Sequence, residues 1–165
     1  MLRRSLLAQI LGLMGWLALA FSAAGMGAVA SIDAGSFYGQ LLRPSWAPPA
    51  SAFAPVWTTL YLLMGLSAWL AWRERGAPRQ DAALGLFVAQ LGVNALWSWL
   101  FFVWNLGALA LVDAVLLFVL IARTLILFWR INRLAALLLL PYLAWVGFAS
   151  ALTWSVWRNN PGLLS

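Results

Sequence analysis

Residues 107–129 read GALALVDAVLLFVLIARTLILFW. The run carries two ionisable side chains, Asp113 and Arg123, and is otherwise almost wholly aliphatic. A helix needs roughly 20 residues to cross ~30 Å of hydrocarbon, and the run does not alternate with period two as a barrel strand does. It reads as a membrane-spanning helix. Working outward, four more apolar runs of similar length fill most of the chain: about Leu6–Ala30, Ala54–Trp72, Ala82–Val103 and Leu134–Trp157. Together they predict an all-α integral membrane bundle of five transmembrane helices. One domain is expected over residues 1–165, with a long first loop at residues 31–53.

Composition agrees. Of 165 residues, 65% are hydrophobic and 8% charged, whereas soluble domains carry about 25% charge. Disorder needs low hydrophobicity and many charges. Arg3-Arg4, the first run and Ala28-Val29-Ala30 also fit the outline of a secretory signal peptide. The run is long for that purpose and its small residues suit helix packing, so a retained helix is preferred.

Arginine supplies all ten basic residues. Arg3, Arg4, Arg73, Arg75, Arg79, Arg130 and Arg133 fall on the side of the N-terminus, against Arg43 and Arg158 on the other. By the positive-inside rule the N-terminus is cytoplasmic and the C-terminus outside. The net charge of +6 is thus a topology signal, with some attraction to anionic lipid. No nucleic-acid partner is expected, because the charge is split among short loops. Loops near residues 74–81, 104–106 and 130–133 are short, which predicts antiparallel packing of successive helices. The first loop is long and holds Phe37, Tyr38, Pro44, Trp46, Pro48 and Pro49, which reads as a lid.

The missing residue types restrict the chemistry. There is no His, Cys or Lys, so zinc sites with His or Cys ligands, Ser-His-Asp or Cys-His catalysis and Schiff-base lysines are excluded. No metal or cofactor is expected. Against this stand 12 Trp. Trp72, Trp104, Trp129 and Trp157 sit at predicted helix ends, as an aromatic belt would. Trp57, Trp97 and Trp145 lie a turn or more inside. An inward indole provides a broad apolar face and one N–H donor; such indoles either fill the bundle or bind a flat aromatic ligand.

Polar residues inside spans are candidate functional groups. Gln90, Asn94 and Trp97 share one helix face, and the two amides read equally as interhelical glue and as ligand donors. On the second run Trp57, Tyr61 and Met64 recur at i, i+4 and i+7. On the fifth, Tyr142, Trp145, Ala149 and Leu152 fall on one side. Asp113 is expected to find donors on other elements, such as an indole N–H, an amide or Arg43, and Arg123 to snorkel toward headgroups. A structural role for Asp113 is favoured over a proton relay, because it has no second titratable partner. Small residues four apart, Ala23/Gly27 and Gly85/Ala89, would allow close helix contact within one chain or in a homodimer.

Several segments resemble the translocator protein/tryptophan-rich sensory protein family, TspO/MBR. They are Leu42-Arg43-Pro44-Ser45-Trp46-Ala47-Pro48-Pro49, Ala54-Pro55-Val56-Trp57-Thr58-Thr59-Leu60-Tyr61 and Met64-Gly65. In the third run they are Gln90-Leu91, Asn94, Trp97 and Phe101-Phe102. Asp113 follows, then Pro141-Tyr142-Leu143-Ala144-Trp145, Phe148-Ala149 and Val156-Trp157-Arg158-Asn159. The likeness spans about residues 40–160. It implies a five-helix bundle, often dimeric, in a bacterial membrane here, whose first loop closes a pocket. Family ligands are porphyrins such as protoporphyrin IX, sterols in animal members, and benzodiazepine-receptor drugs. The implied pocket positions are Phe53, Ala54, Trp57, Asn94, Trp97, Leu109, Val112, Leu116, Trp145, Ala149 and Leu152. Tyr61 joins them from the helix face, with Trp46, Pro48 and Pro49 shaping the lid and Arg43 at the mouth.

Three function classes follow. The preferred one is a membrane-embedded binding protein for porphyrin-like tetrapyrroles, acting in their sensing, transfer or disposal. The second is a light-dependent porphyrin-degrading catalyst, which the resemblance would place on Trp57 and Trp145; an enzyme is the less favoured reading. The third is a transporter, disfavoured because no inverted repeat is visible and Asp113 is the lone candidate for a coupling proton. Two departures from the resemblance matter. Leu109 stands where animal members have Trp. The segment Leu152-Thr153-Trp154-Ser155-Val156-Trp157-Arg158 lacks the Tyr of the animal cholesterol motif, so cholesterol is not the expected ligand.

Overall fold

The computed structural model describes residues 5–165. Five of its helices are long and apolar enough to cross a membrane. They are α1 (Leu6–Ala30), α3 (Phe53–Trp72), α4 (Gln80–Ser98), α5 (Gly107–Ile131) and α6 (Arg133–Asn159). A sixth, α2 (Ala34–Gln40), is short and lies within the first loop. A 3-10 turn at Ala50–Ala52 leads into α3, and a π turn at Trp99–Val103 ends α4. No strand element occurs among the described residues. Arg3 and Arg4, two of the orienting arginines, lie outside them.

Local chemistry sets the boundaries. The Ser5 hydroxyl accepts from the Ala8 N–H at 3.3 Å and opens α1, satisfying one of the donors a helix start leaves free. Asn132 ends α5 and begins α6, its side chain accepting from the Ala135 N–H at 3.1 Å. Asn105, with φ of 53°, reverses the chain between α4 and α5 in a left-handed conformation that Asn tolerates better than most residues.

The five long helices close into a ring in the order α1, α3, α6, α5, α4 and back to α1. Successive helices are thus close neighbours at α4/α5 and α5/α6, as their short loops predict. The α3/α4 pair departs from that expectation, because α1 packs against both and holds them apart. Glycines permit the approach. A Cβ on Gly65 would lie 2.7 Å from Leu17 Cδ2, and one on Gly12 would lie 2.1 Å from Trp72 Cζ3.

The ring is solid toward the arginine-rich end. Met64, Phe87, Ile121, Phe128, Leu139 and Tyr142 are nearly or wholly buried there and in the middle. Toward the first-loop end a smaller cluster around Tyr38, Leu41, Phe101 and Val156 packs beneath the loop. That loop is held in place. The Tyr38 hydroxyl donates to the Pro48 carbonyl at 3.0 Å, and the Arg43 guanidinium sits 4.6 Å from the Tyr38 ring centre. Asn160, just past α6, accepts from the Leu42 N–H at 2.8 Å and donates to the Leu42 carbonyl at 3.0 Å. The end of the chain therefore fastens the loop.

Candidate functional site

Between the loop and the packed half of the ring lies a cavity of about 690 Å³. This is within the ~300–1,000 Å³ usual for small-molecule pockets. Side chains from every long helix line it. Phe53, Ala54, Trp57 and Tyr61 come from α3 at successive turns, and Asn94 and Trp97 from α4. The α6 face supplies Trp145, Ala149 and Leu152. Each of these was expected from sequence.

The aromatic walls are ordered by ring contacts. Trp97 stacks on Phe101 at 5.0 Å with an interplanar angle of 9°. Trp57 lies tilted over Tyr61 at 5.7 Å between ring centres and meets Tyr142 edge-to-face at 6.3 Å between ring centres. Trp145 meets Phe53 edge-on at 5.9 Å. The indole N–H groups of Trp97 and Trp145 are buried and have no hydrogen-bond partner among the described residues. A bare buried donor costs on the order of 1–3 kcal/mol; both nitrogens are turned into the packing, and the faces and edges of the rings form the cavity wall.

The floor is polar. Tyr61 donates its hydroxyl to Asn94 Oδ1 at 2.9 Å, and Asn94 Nδ2 donates to the Tyr142 oxygen at 2.5 Å. Tyr142 in turn donates to Gln90 Oε1 at 2.7 Å. This chain of bonds joins α3, α4 and α6. Gln90 is therefore interhelical glue, whereas Asn94 both glues and lines the cavity. Buried amides and phenols with partners on other helices specify one packing, since the alternative in lipid is an unsatisfied group.

Other expected positions lie elsewhere. Leu109, Val112 and Leu116 do not line the cavity; they are 52%, 64% and 48% exposed on the outer face of α5. The inward stripe is Ala110, Asp113, Ala114, Leu117, Ile121, Thr124 and Phe128, and Ala114 and Leu117 touch the cavity. At 100° per residue, the three expected positions point well away from that stripe. Asp113 is buried, yet its Oδ2 has no hydrogen-bond partner among the described residues. Arg43, one partner expected for it, is over Tyr38 instead. Trp46, Pro48 and Pro49 belong to the covering loop rather than the cavity wall, Trp46 packing edge-on against Phe148 at 5.7 Å.

Sequence reasoning passed over several lining residues. Phe21, Ala24 and Ala28 of α1 and Tyr38 of α2 all contribute. Small residues four apart on α1 were visible, but nothing in the sequence shows which side of the ring α1 occupies. Of the four end tryptophans, Trp104 and Trp129 are exposed as belt residues. Trp72 and Trp157 instead fill the space left by Gly12 and Gly107. Ala23 and Gly27 are buried within the chain, Gly27 against Ser98, whereas Gly85 and Ala89 face outward. Among the described residues no group of three His, Cys, Asp or Glu is placed to hold a metal.

These features define a multi-pass membrane protein whose helix ring encloses an aromatic cavity beneath a pinned loop. The chain belongs to the TspO/MBR family, whose pattern matches residues 10–158. It is 43% identical over 128 residues to the translocator protein of Sus scrofa, covering 76% of each chain. It is 41% identical over 132 residues to protein CrtK of Rhodobacter capsulatus, covering 78% of this chain and 81% of that one. The tryptophan-rich protein TspO of Chlorobaculum tepidum is 41% identical over 127 residues, 76% of this chain and 80% of that one.

Proposed function

We propose that the protein is a membrane-embedded binding protein for porphyrin-like tetrapyrroles and similarly flat, hydrophobic ligands, acting in their sensing, transfer or disposal. The observation that carries this is the cavity itself: about 690 Å³, walled by Trp57, Trp97 and Trp145, with a polar floor at Asn94. Flat aromatic ligands gain from offset or edge contacts with such rings. Protoporphyrin IX titrated into the protein in lipid nanodiscs should quench indole fluorescence saturably. Trp57→Phe and Trp145→Phe should each weaken binding about two- to tenfold, the worth of one aromatic contact. Unchanged affinity in both variants would remove this pocket from consideration.

A light-dependent degradative role is a second reading, favoured by the presence of both Trp57 and Trp145 on one cavity. Illuminated protein should then bleach bound protoporphyrin faster than a protein-free control, and the two Phe variants should not.

A further inference from the structure

A second concavity, about 580 Å³, lies on the outside of the ring in the seam between α3 and α6. Pro55, Thr59 and Leu63 form one bank, and Pro141, Ala144 and Phe148 the other. Facing outward from a membrane-spanning ring, the groove opens on the bilayer. One residue is common to both spaces: Trp145 walls the central cavity and the outer groove alike. The Trp145 indole is therefore part of the wall between groove and cavity.

The seam is unevenly fastened. Toward the arginine-rich end the Ser67 hydroxyl donates to the Ala135 carbonyl at 2.7 Å and bolts α3 to α6. From Pro141 toward the first loop, no hydrogen bond joins the two helices directly among the described residues; aromatic contacts such as Trp145 on Phe53 bridge them. Pro141 stands inside α6, one turn before Trp145. It has no N–H for the Leu137 carbonyl, which weakens the helix locally and provides a bending point. The Trp145 N–H has no hydrogen-bond partner among the described residues, and ring contacts with Phe53 and Phe148 position it. Acyl chains can replace a parted aromatic contact, whereas a parted hydrogen bond leaves bare polar groups in lipid, so this half of the seam opens with less loss than the other.

We propose that the α3–α6 seam is a lateral portal with Trp145 as its gate, through which a hydrophobic ligand passes between the bilayer and the cavity without crossing the first loop. The occupant is the cavity's own flat apolar ligand in transit, so the proposal rests on the binding function above. A ligand of this chemistry partitions into lipid before it meets the protein, and at Trp145 the bilayer-facing groove and the cavity share a wall.

Ala144 and Thr59 face the groove from opposite banks and do not line the cavity. Filling the groove should therefore obstruct passage without altering the bound state. The full chain in nanodiscs is mixed with vesicles preloaded with protoporphyrin IX, and indole quenching is followed by stopped flow. Ala144→Phe should slow association and dissociation by the same factor, about tenfold, and leave Kd within about twofold, since a barrier acts on both rates alike. Thr59→Phe reads the same quantity from the facing helix should Ala144→Phe fail to assemble, and Ala144→Ser should behave as the unaltered protein. Rates unchanged in both Phe variants, with normal affinity, would overturn the portal alone. Weakened affinity without matched slowing of both rates would also overturn it, because the groove would then be part of the binding site. Absence of saturable quenching in the unaltered protein would instead overturn the binding function, and the portal with it.

Discussion

Asn94 spends both ends of its amide on phenols from two other helices, Tyr61 and Tyr142. Its replacement by Leu keeps the volume roughly and removes the hub. Tyr142 would keep Gln90, but Tyr61 would be left with an unpaired buried hydroxyl. Asn94→Leu should cost on the order of 1–3 kcal/mol, the penalty for stranding a buried polar group. Thermal unfolding in detergent would show it as a lowered midpoint, and Tyr61→Phe introduced with it should restore part of the loss. An undiminished midpoint for the single variant would mean the network is dispensable. At this scale the sequence was informative about type: Gln90 and Asn94 one turn apart signalled an inward polar stripe. It was silent about partners, because Tyr142 lies 48 residues away on another helix.

At the scale of the element, the helix ends were readable from sequence and the inward faces only partly. Tracts such as α5 are apolar all round, so hydrophobic periodicity has little contrast to reveal which face turns in. Leu109, Val112 and Leu116 carry an apolar face that suits lipid as well as it would suit a cavity. The small residues Ala110 and Ala114, in phase with Asp113 and Thr124, were the better signal for the inward side. Close packing of α1 on α3 depends on glycine at a point the sequence marks only as Gly65. Gly65→Val would bring side-chain atoms against Leu17, whose backbone Cα is already 3.1 Å from a Cβ at that site. Overpacking of this kind costs about 1–3 kcal/mol. Gly92→Ala, where a Cβ meets nothing within 4 Å, should not destabilise and should gain about 0.5–1 kcal/mol of helix preference. Equal midpoints for Gly65→Val and Gly92→Ala would refute the close contact.

The whole molecule adds orientation and ring order. Arg73, Arg75, Arg79, Arg130 and Arg133 gather at one end of the bundle, while Arg43 and Arg158 stand at the other with the first loop. We propose that the arginine-rich end faces the cytoplasm, because translocating clustered cations is unfavourable. A reporter active only outside the cytoplasm, fused after Ser165, should therefore be active. Neutralising Arg73, Arg75 and Arg79 together should produce a mixed population, and an inactive reporter on the unaltered chain would reverse the assignment. The sequence by itself determined that there are five helical spans, roughly where each begins and ends, and which aromatic and amide residues sit inside them. Those properties follow from hydrocarbon thickness and from the cost of bare backbone in lipid, both of which act along a single segment. Only the tertiary structure decided that α1 separates α3 from α4, that α5 turns Ala114 and Leu117 rather than Leu109, Val112 and Leu116 to the cavity, and that Trp145 lines both the cavity and the outer groove. In lipid an apolar side chain gains little by turning inward, so helix facing and order are set by shape and hydrogen bonds between distant segments.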